Sequence, residues 1–297
     1  MDNSLPSTAS TPLGRIAYCL KGDSGPLLAG FHGSPGSMAQ ISAIMDKIGL
    51  VPSRCRRLVI DRAGYNRTPL GSRRKMSEQA DLFAALLDEL DIEAVDVIVA
   101  FSGGGFMALE FAARHPQRVK KLLLLSAATA AHTTYSHSLP AKLMFSVPGM
   151  NIMVGLSYIF PGLAVRGLIS FMSNFNSAQK KQEYREVRAS KEDRDFLLQI
   201  LRLNYPFGRL HPGLISETHE FLNADSNYTG LKLPILQIHG RYDSDVDFSY
   251  AEDLRKQVKS AHLLEMKTAY HLIMVGERFN EVKGKIFDFC GIPPVEN

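Results

Sequence analysis

A chain of 297 residues with 45% hydrophobic and 22% charged side chains has the make-up of a soluble globular protein with one large domain or two small ones. The net charge of +4 is small for this length, and much of the positive charge is local, in Arg54-Cys55-Arg56-Arg57 and Arg73-Arg74-Lys75, neither interleaved with aromatics, which argues against a nucleic-acid surface. Three cysteines, Cys19, Cys55 and Cys290, are an odd number without metal-type spacing, and a reducing, cytoplasmic setting is the default expectation.

Residues 1–12 are rich in Ser, Thr and Pro, without the basic start and apolar centre of a signal peptide, and read as a disordered tail. Leu13–Leu20 alternates weakly as a strand and turns at Lys21–Gly25. Pro26–Phe31 is a short apolar strand that runs into His32-Gly33-Ser34-Pro35-Gly36-Ser37, and a helix follows to about Ile48. Arg57–Ile60 is the next strand. Leu82, Leu86 and Leu90 recur at helical spacing and predict a helix over Met76–Leu90. Val95–Phe101 is β-branched and apolar, and it ends abruptly at Ser102-Gly103-Gly104-Gly105 before a helix over 102–114. Leu122–Leu125 is a further strand. This alternation predicts a mostly parallel sheet covered on both faces, with function at the C-terminal strand ends.

The alternation stops between about Ala128 and Thr229, where only helical patterns occur. A hundred helical residues between two strands exceed an ordinary loop and predict a cap over 131–229, set between core segments 13–130 and 230–297. Phe171, Phe175, Tyr184, the charged run Arg185–Asp195, Phe196–Leu203 and Ile215–Leu222 all fit helices. Leu143–Val165 carries no charge and is long enough to span a bilayer, but Pro148, Gly149, Asn151, Gly155, Pro161 and Gly162 divide it. Short apolar helices lining a pocket are therefore expected rather than a transmembrane span, with weak contact of the cap with a membrane left open. The sheet pattern resumes at Leu233–Gly240. A helix over Phe248–Lys259, a strand over Ala261–Glu265 and a last helix over Val275–Phe289 follow.

Ser102 stands at a strand–turn–helix corner with small residues two before and two after it, Ala100 and Gly104, the setting of an exposed nucleophile close to backbone N–H groups. Neither G-x-G-x-x-G nor a P-loop ending is present, which weakens a phosphate-loop reading. A serine nucleophile needs a base, and the base an orienting acid. Asp243 follows the strand ending at His239-Gly240, and His271 follows Tyr270 in the loop before the last helix. Asp245 and Asp247 compete with Asp243 for the acid, although Asp247 is equally suited to capping the next helix. His32 and His239 read as loop-holding residues. No His or Cys pair has metal spacing, so neither metal nor other cofactor is expected.

With these residues in order, the chain resembles the α/β-hydrolase fold family over nearly all its length apart from the cap. The resemblance rests on His32-Gly33-Ser34-Pro35, on Asp61–Thr68 (with Ala63, Asn66 and Thr68 departing from the family pattern), on Ala100–Gly104, on His239–Asp243 and on Tyr270-His271, where Tyr270 replaces glycine. It implies an α/β fold with a mostly parallel eight-stranded sheet and an all-helical cap after the sixth strand. It implies Ser102 as nucleophile, His271 as general base, Asp243 as its acid, and the backbone N–H groups of Ser34 and Gly103 as oxyanion hole. The implied reaction is acyl transfer from an ester, thioester or lactone to water. Serine at the elbow and the absence of Trp speak against the dehalogenase and epoxide hydrolase branches. A C–C bond hydrolase, a cofactor-free perhydrolase or haloperoxidase, and a small-ligand receptor on the same fold remain as alternatives. The apolar run from Leu143 and Met144 to Phe160 either forms the cap's own core or faces a small hydrophobic substrate. The sequence sets no oligomeric state.

Overall fold

Residues 6–130, 139–223 and 227–293 are described by the computed structural model of this chain. Eight strands, β1 (Ser7–Thr11), β2 (Gly14–Lys21), β3 (Leu27–Phe31), β4 (Arg56–Ile60), β5 (Val95–Phe101), β6 (Val119–Leu125), β7 (Ile235–Gly240) and β8 (Ala261–Met266), form one sheet in the order β1-β2-β4-β3-β5-β6-β7-β8. The pairs β1·β2 and β2·β4 are antiparallel, and every other neighbour is parallel. The fold is thus the mostly parallel eight-stranded α/β sheet expected from the sequence.

The reading of the N-terminal segment is corrected. Ser7–Thr11, read as part of a disordered tail, is an edge strand in register with β2 from Ser7 opposite Tyr18 to Thr11 opposite Gly14. Its polar composition hides it, because an edge strand with exposed side chains needs little apolar character and is held by backbone ladder bonds. The Arg73 guanidinium donates to Leu13 O at 2.7 Å and fastens the connecting turn.

Period-two alternation divides the parallel strands between two cores. Leu28, Val97, Val99, Leu123 and Ile238 face one side, and Leu27, Ile98, Ala100, Leu124 and Ile235 the other. The first side packs against α1 (Met38–Lys47), and the second against α2 (Met76–Glu89) and α3 (Gly104–Arg114).

Among the described residues six helices lie between β6 and β7: α4 (Leu139–Met144), α5 (Val147–Ile159), α6 (Pro161–Met172), α7 (Ser177–Ala189), α8 (Lys191–Arg202) and α9 (His211–Asn223). Residues 131–138 and 224–226 of the expected cap lie outside the described residues. The charged run Arg185–Asp195 is not one helix. Ser190 ends α7 and caps α8 by accepting from Asp193 N at 3.1 Å, so a serine that looks neutral in the pattern is a boundary. The chain closes with α10 (Phe248–Gln257), capped by Asp247, and α11 (Asn280–Cys290). The last helix starts at Asn280, later than the Val275 read from the sequence, because Val275 and the residues before it are buried in the first core. No helix among the described residues is long and apolar enough to cross a membrane.

Candidate active site

Ser102 occupies the corner between β5 and α3. Its φ of +50° turns the backbone sharply from strand into helix and leaves the side chain at the strand's C-terminal end. Close approach of strand and helix explains Gly104: a Cβ there would lie 2.6 Å from Phe31 O and 2.7 Å from His32 O. Ala100 is fully buried, in register with Phe31 and Leu124, and its methyl group packs in the second core.

The loop after β3 meets this corner. A Cβ on Gly33 would stand 3.1 Å from Ser102 Cβ, and one on Gly103 would stand 2.3 Å from Ser34 Oγ, so Ser34 and Gly103 are neighbours beside Ser102. Gln40 of α1 braces the loop, accepting from Gly33 N at 3.0 Å and donating to Pro35 O at 3.1 Å. His32 holds it from within. Its Nε2 accepts from Arg62 N at 3.0 Å, and burial together with the Arg62 charge holds its pKa well below the usual histidine value, so the ring is a neutral brace.

The acid and histidine loops follow β7 and β8. His271 Nδ1 lies 2.8 Å from Asp243 Oδ2, with both side chains at most 1% exposed. Asp243 Oδ1 accepts from Asp245 N and Val246 N, each at 2.8 Å. His239 Nε2 is 2.9 Å from Val246 O and 3.3 Å from Asp243 Oδ2. Burial pushes the Asp243 carboxyl up, but the charge of His271 and the hydrogen bonds from His239 and His271 outweigh it and hold it below the usual carboxylate range. Asp243 is therefore the carboxylate on Nδ1. Asp247 caps α10 through Ser249 N at 2.9 Å. Asp245 lies on the opposite edge of the imidazole, its Oδ2 3.2 Å from Nε2.

Helix α6 is sewn to both loops. Ser244 Oγ donates to Phe171 O at 2.7 Å, Asn174 Nδ2 to Asp243 O at 3.1 Å, and Ser244 N and His271 N both to Met172 O at 3.4 Å. The helices between β6 and β7 line one side of a cavity of about 340 Å³ whose walls also include Ser102 and His271. Met144, Phe145, Met153, Leu156, Phe171 and Met172 are among its walls. The apolar run of α4–α5 is divided: Val154 packs with Tyr65, Phe207 and Leu214 in a small core, while Met144, Phe145 and Met153 line the cavity.

A buried ionic cluster has no motif to announce it. Glu217 of α9 accepts from Tyr65 Oη at 2.7 Å, from Ser34 Oγ at 2.5 Å, and from both terminal nitrogens of Arg62. Arg62 Nη2 also donates to Gly33 O at 3.0 Å and to Ser34 Oγ at 2.8 Å. Both charged side chains are 0% exposed. The cluster ties a helix of the inserted segment to the loop carrying Ser34. Arg62 lies within the Asp61–Thr68 stretch singled out above, but nothing in the sequence links it to a glutamate 155 positions away.

Comparison with known proteins agrees with this architecture. Residues 26–151 match the family model described as alpha/beta hydrolase fold. An alpha/beta hydrolase fold protein from Nakamurella multipartita superposes with a TM-score of 0.86 at 25% identity, covering 97% of this chain and all of that one. An enol-lactonase from Burkholderia xenovorans LB400 superposes with a TM-score of 0.68 at 18% identity over 96% of this chain and all of its own. By sequence, the uncharacterized hydrolase YcgS of Bacillus subtilis is 24% identical over 235 residues, 77% of this chain and 79% of its own length. The chain has the α/β-hydrolase fold.

Proposed function

We propose that the protein is a serine hydrolase that cleaves a carboxylic ester, thioester or lactone with an apolar group by way of an acyl-enzyme. One observation carries this reading: a buried Asp243–His271 pair at 2.8 Å shares the floor of an apolar cavity with a serine held at positive φ on a strand–helix corner. Ser102 Oγ attacks the carbonyl as His271 Nε2 takes its proton. Asp243 keeps the other proton on Nδ1 and stabilises the imidazolium that forms. The backbone N–H groups of Gly103 and Ser34 receive the oxyanion, where loss of one donor costs about 3 kcal/mol of transition-state stabilisation. Collapse of the tetrahedral intermediate breaks the bond to the leaving oxygen or sulfur, which takes the proton from His271. Water then repeats the sequence on the acyl-enzyme and frees Ser102.

The cavity supports an apolar acyl or alcohol group, and α4–α9 act as the cap that excludes water from it. The names of the structural neighbours, an enol-lactonase and, among others, an esterase from Exiguobacterium antarcticum, are consistent with this reaction class. The test is hydrolysis of p-nitrophenyl acetate, butyrate and octanoate by the wild type and Ser102→Ala. The wild type is expected to turn over the longer esters, and the variant to lose activity by on the order of 10⁴-fold or more. Equal rates in the two proteins overturn the reading.

A further inference from the structure

A histidine that takes the proton of Ser102 needs its Nε2 lone pair on Oγ. Here Nε2 faces a second acid. His271 lies between two carboxylates, Asp243 Oδ2 at 2.8 Å from Nδ1 and Asp245 Oδ2 at 3.2 Å from Nε2. The side chains of His271 and Asp245 are 1% and 6% exposed. Among the described residues Ser102 Oγ makes no hydrogen bond. The arrangement is built in, because the carboxylate that orients Nδ1 also accepts from the backbone N–H of Asp245 and so fixes the turn that aims it. Ser244, between the two acids, is fastened to α6 at Phe171 O.

Asp245 is also part of the cavity wall, beside Ser102 and a lining otherwise dominated by Met, Phe and Leu. The remaining polar side chains of that wall are engaged: Ser34 Oγ donates to Glu217, and Gln40 bridges Gly33 and Pro35. Asn204 donates from Nδ2 to Ile200 O and Leu201 O, both at 3.1 Å, which leaves its Oδ1 as a buried acceptor without a hydrogen-bond partner. The wall offers acceptors, and among its described residues it holds no Lys or Arg.

On the serine-hydrolase reading, we propose that Asp245 holds His271 away from Ser102 in the resting site, and that substrates carrying a hydrogen-bond donor beside the reacting carbonyl, a hydroxyl or an amide N–H, release it. The donor takes the place of the imidazole on the Asp245 carboxylate. His271 sheds its extra proton to solvent, and Nε2 turns to Oγ. A plain apolar ester brings no donor and would set hydrocarbon against a buried carboxylate, which is disfavoured. Asp245 is then a specificity-determining residue.

The groups around His271 fit such a lock. The turn after β7 presents Asp243 and Asp245. Strand β7 presents His239, which contacts Asp243 rather than His271, and β5 presents Ser102 and the Phe101 ring, 5.0 Å from the imidazole. Helix α6 presents only the carbonyl of Met172. Burial alone would pull the His271 pKa down, but Asp243 and Asp245 outweigh it and lift it to about 9. With a carboxylate facing each ring nitrogen, at 2.8 and 3.2 Å, the arrangement favours a proton on both and leaves no lone pair for the serine proton.

The experiment compares the wild type with Asp245→Asn. Imidazole NMR of His271, which needs no turnover, is expected to titrate near 9 in the wild type and at least about one unit lower in the variant. Kinetics use p-nitrophenyl hexanoate and 2-hydroxyhexanoate from pH 6 to 10. The wild type is expected to favour the hydroxylated ester by about tenfold, and the variant to lose that preference and cleave the plain ester about tenfold faster at pH 7, as one pKa unit implies. An unchanged His271 titration overturns the lock. An unchanged preference overturns its release by donor-bearing substrates. A shifted titration without turnover in either protein supports the clamp and contradicts the hydrolase reading instead.

Discussion

Replacing Asp243 by asparagine tests the orientation of His271 as the proposed base, because the two oxygens of this carboxylate have different partners. Oδ1 accepts two backbone N–H groups, from Asp245 and Val246, while Oδ2 faces His271 Nδ1. Two fixed donors require an acceptor, so the asparagine oxygen takes the Oδ1 position and its NH₂ group lands on His271. The imidazole must then accept at Nδ1 and carry its proton on Nε2, where Asp245 at 3.2 Å holds it. That tautomer cannot take the serine proton. A loss of about 10⁴-fold in kcat is expected, near 5 kcal/mol of activation free energy. The fold should survive, since both backbone bonds persist. Steady-state hydrolysis of p-nitrophenyl butyrate from pH 7 to 10, with a thermal melt as control, measures the effect. Activity within tenfold of the wild type in a folded protein refutes the reasoning.

Glu217→Gln leaves Arg62 buried without its counter-charge and should cost about 3–5 kcal/mol, lowering the melting temperature by roughly 10 °C; a melt within 2 °C of the wild type, on the order of experimental error, contradicts the cluster's role. Gly104→Ala drives a Cβ against the two backbone oxygens of Phe31 and His32, at 2.6 and 2.7 Å, and is expected to cost about 1–3 kcal/mol in urea unfolding together with most activity; an unchanged unfolding midpoint counts against the close approach. The raised pKa of His271 contributes stability that is fully present below 6.5 and is lost as pH rises through about 9. The stability gap between wild type and His271→Gln should therefore narrow by roughly 3 kcal/mol over that window, and a gap independent of pH removes the two-carboxylate clamp.

Much of this site was legible because its determinants are local. Strand β5 is an apolar β-branched run, Ser102 follows it directly, and Gly104 is required by a strand–helix contact within the same few residues. Asp243 and His271 could be placed because each follows a recognisable strand end. What could not be read depends on contacts between distant segments. Glu217 is one acidic residue in α9, and only folding brings it to Arg62 and Ser34. Asp245 reads as a rival to Asp243, since one-dimensional spacing does not say which edge of an imidazole each carboxylate meets. The break at Ser190 and the edge strand Ser7–Thr11 rest on side-chain capping and backbone pairing, which leave little trace in hydrophobic periodicity. The division of α4–α5 between a small apolar core and the cavity wall needed the packing of α6, α8 and α9 to be known.

The most direct measurement of the central claim is covalent labelling with a fluorophosphonate, followed by peptide mass analysis. The expected result is one phosphonyl adduct on the peptide containing Ser102, absent from Ser102→Ala and formed far more slowly in His271→Ala. Folded wild-type protein that takes up no label, or that takes it up on another residue, contradicts Ser102 as the nucleophile.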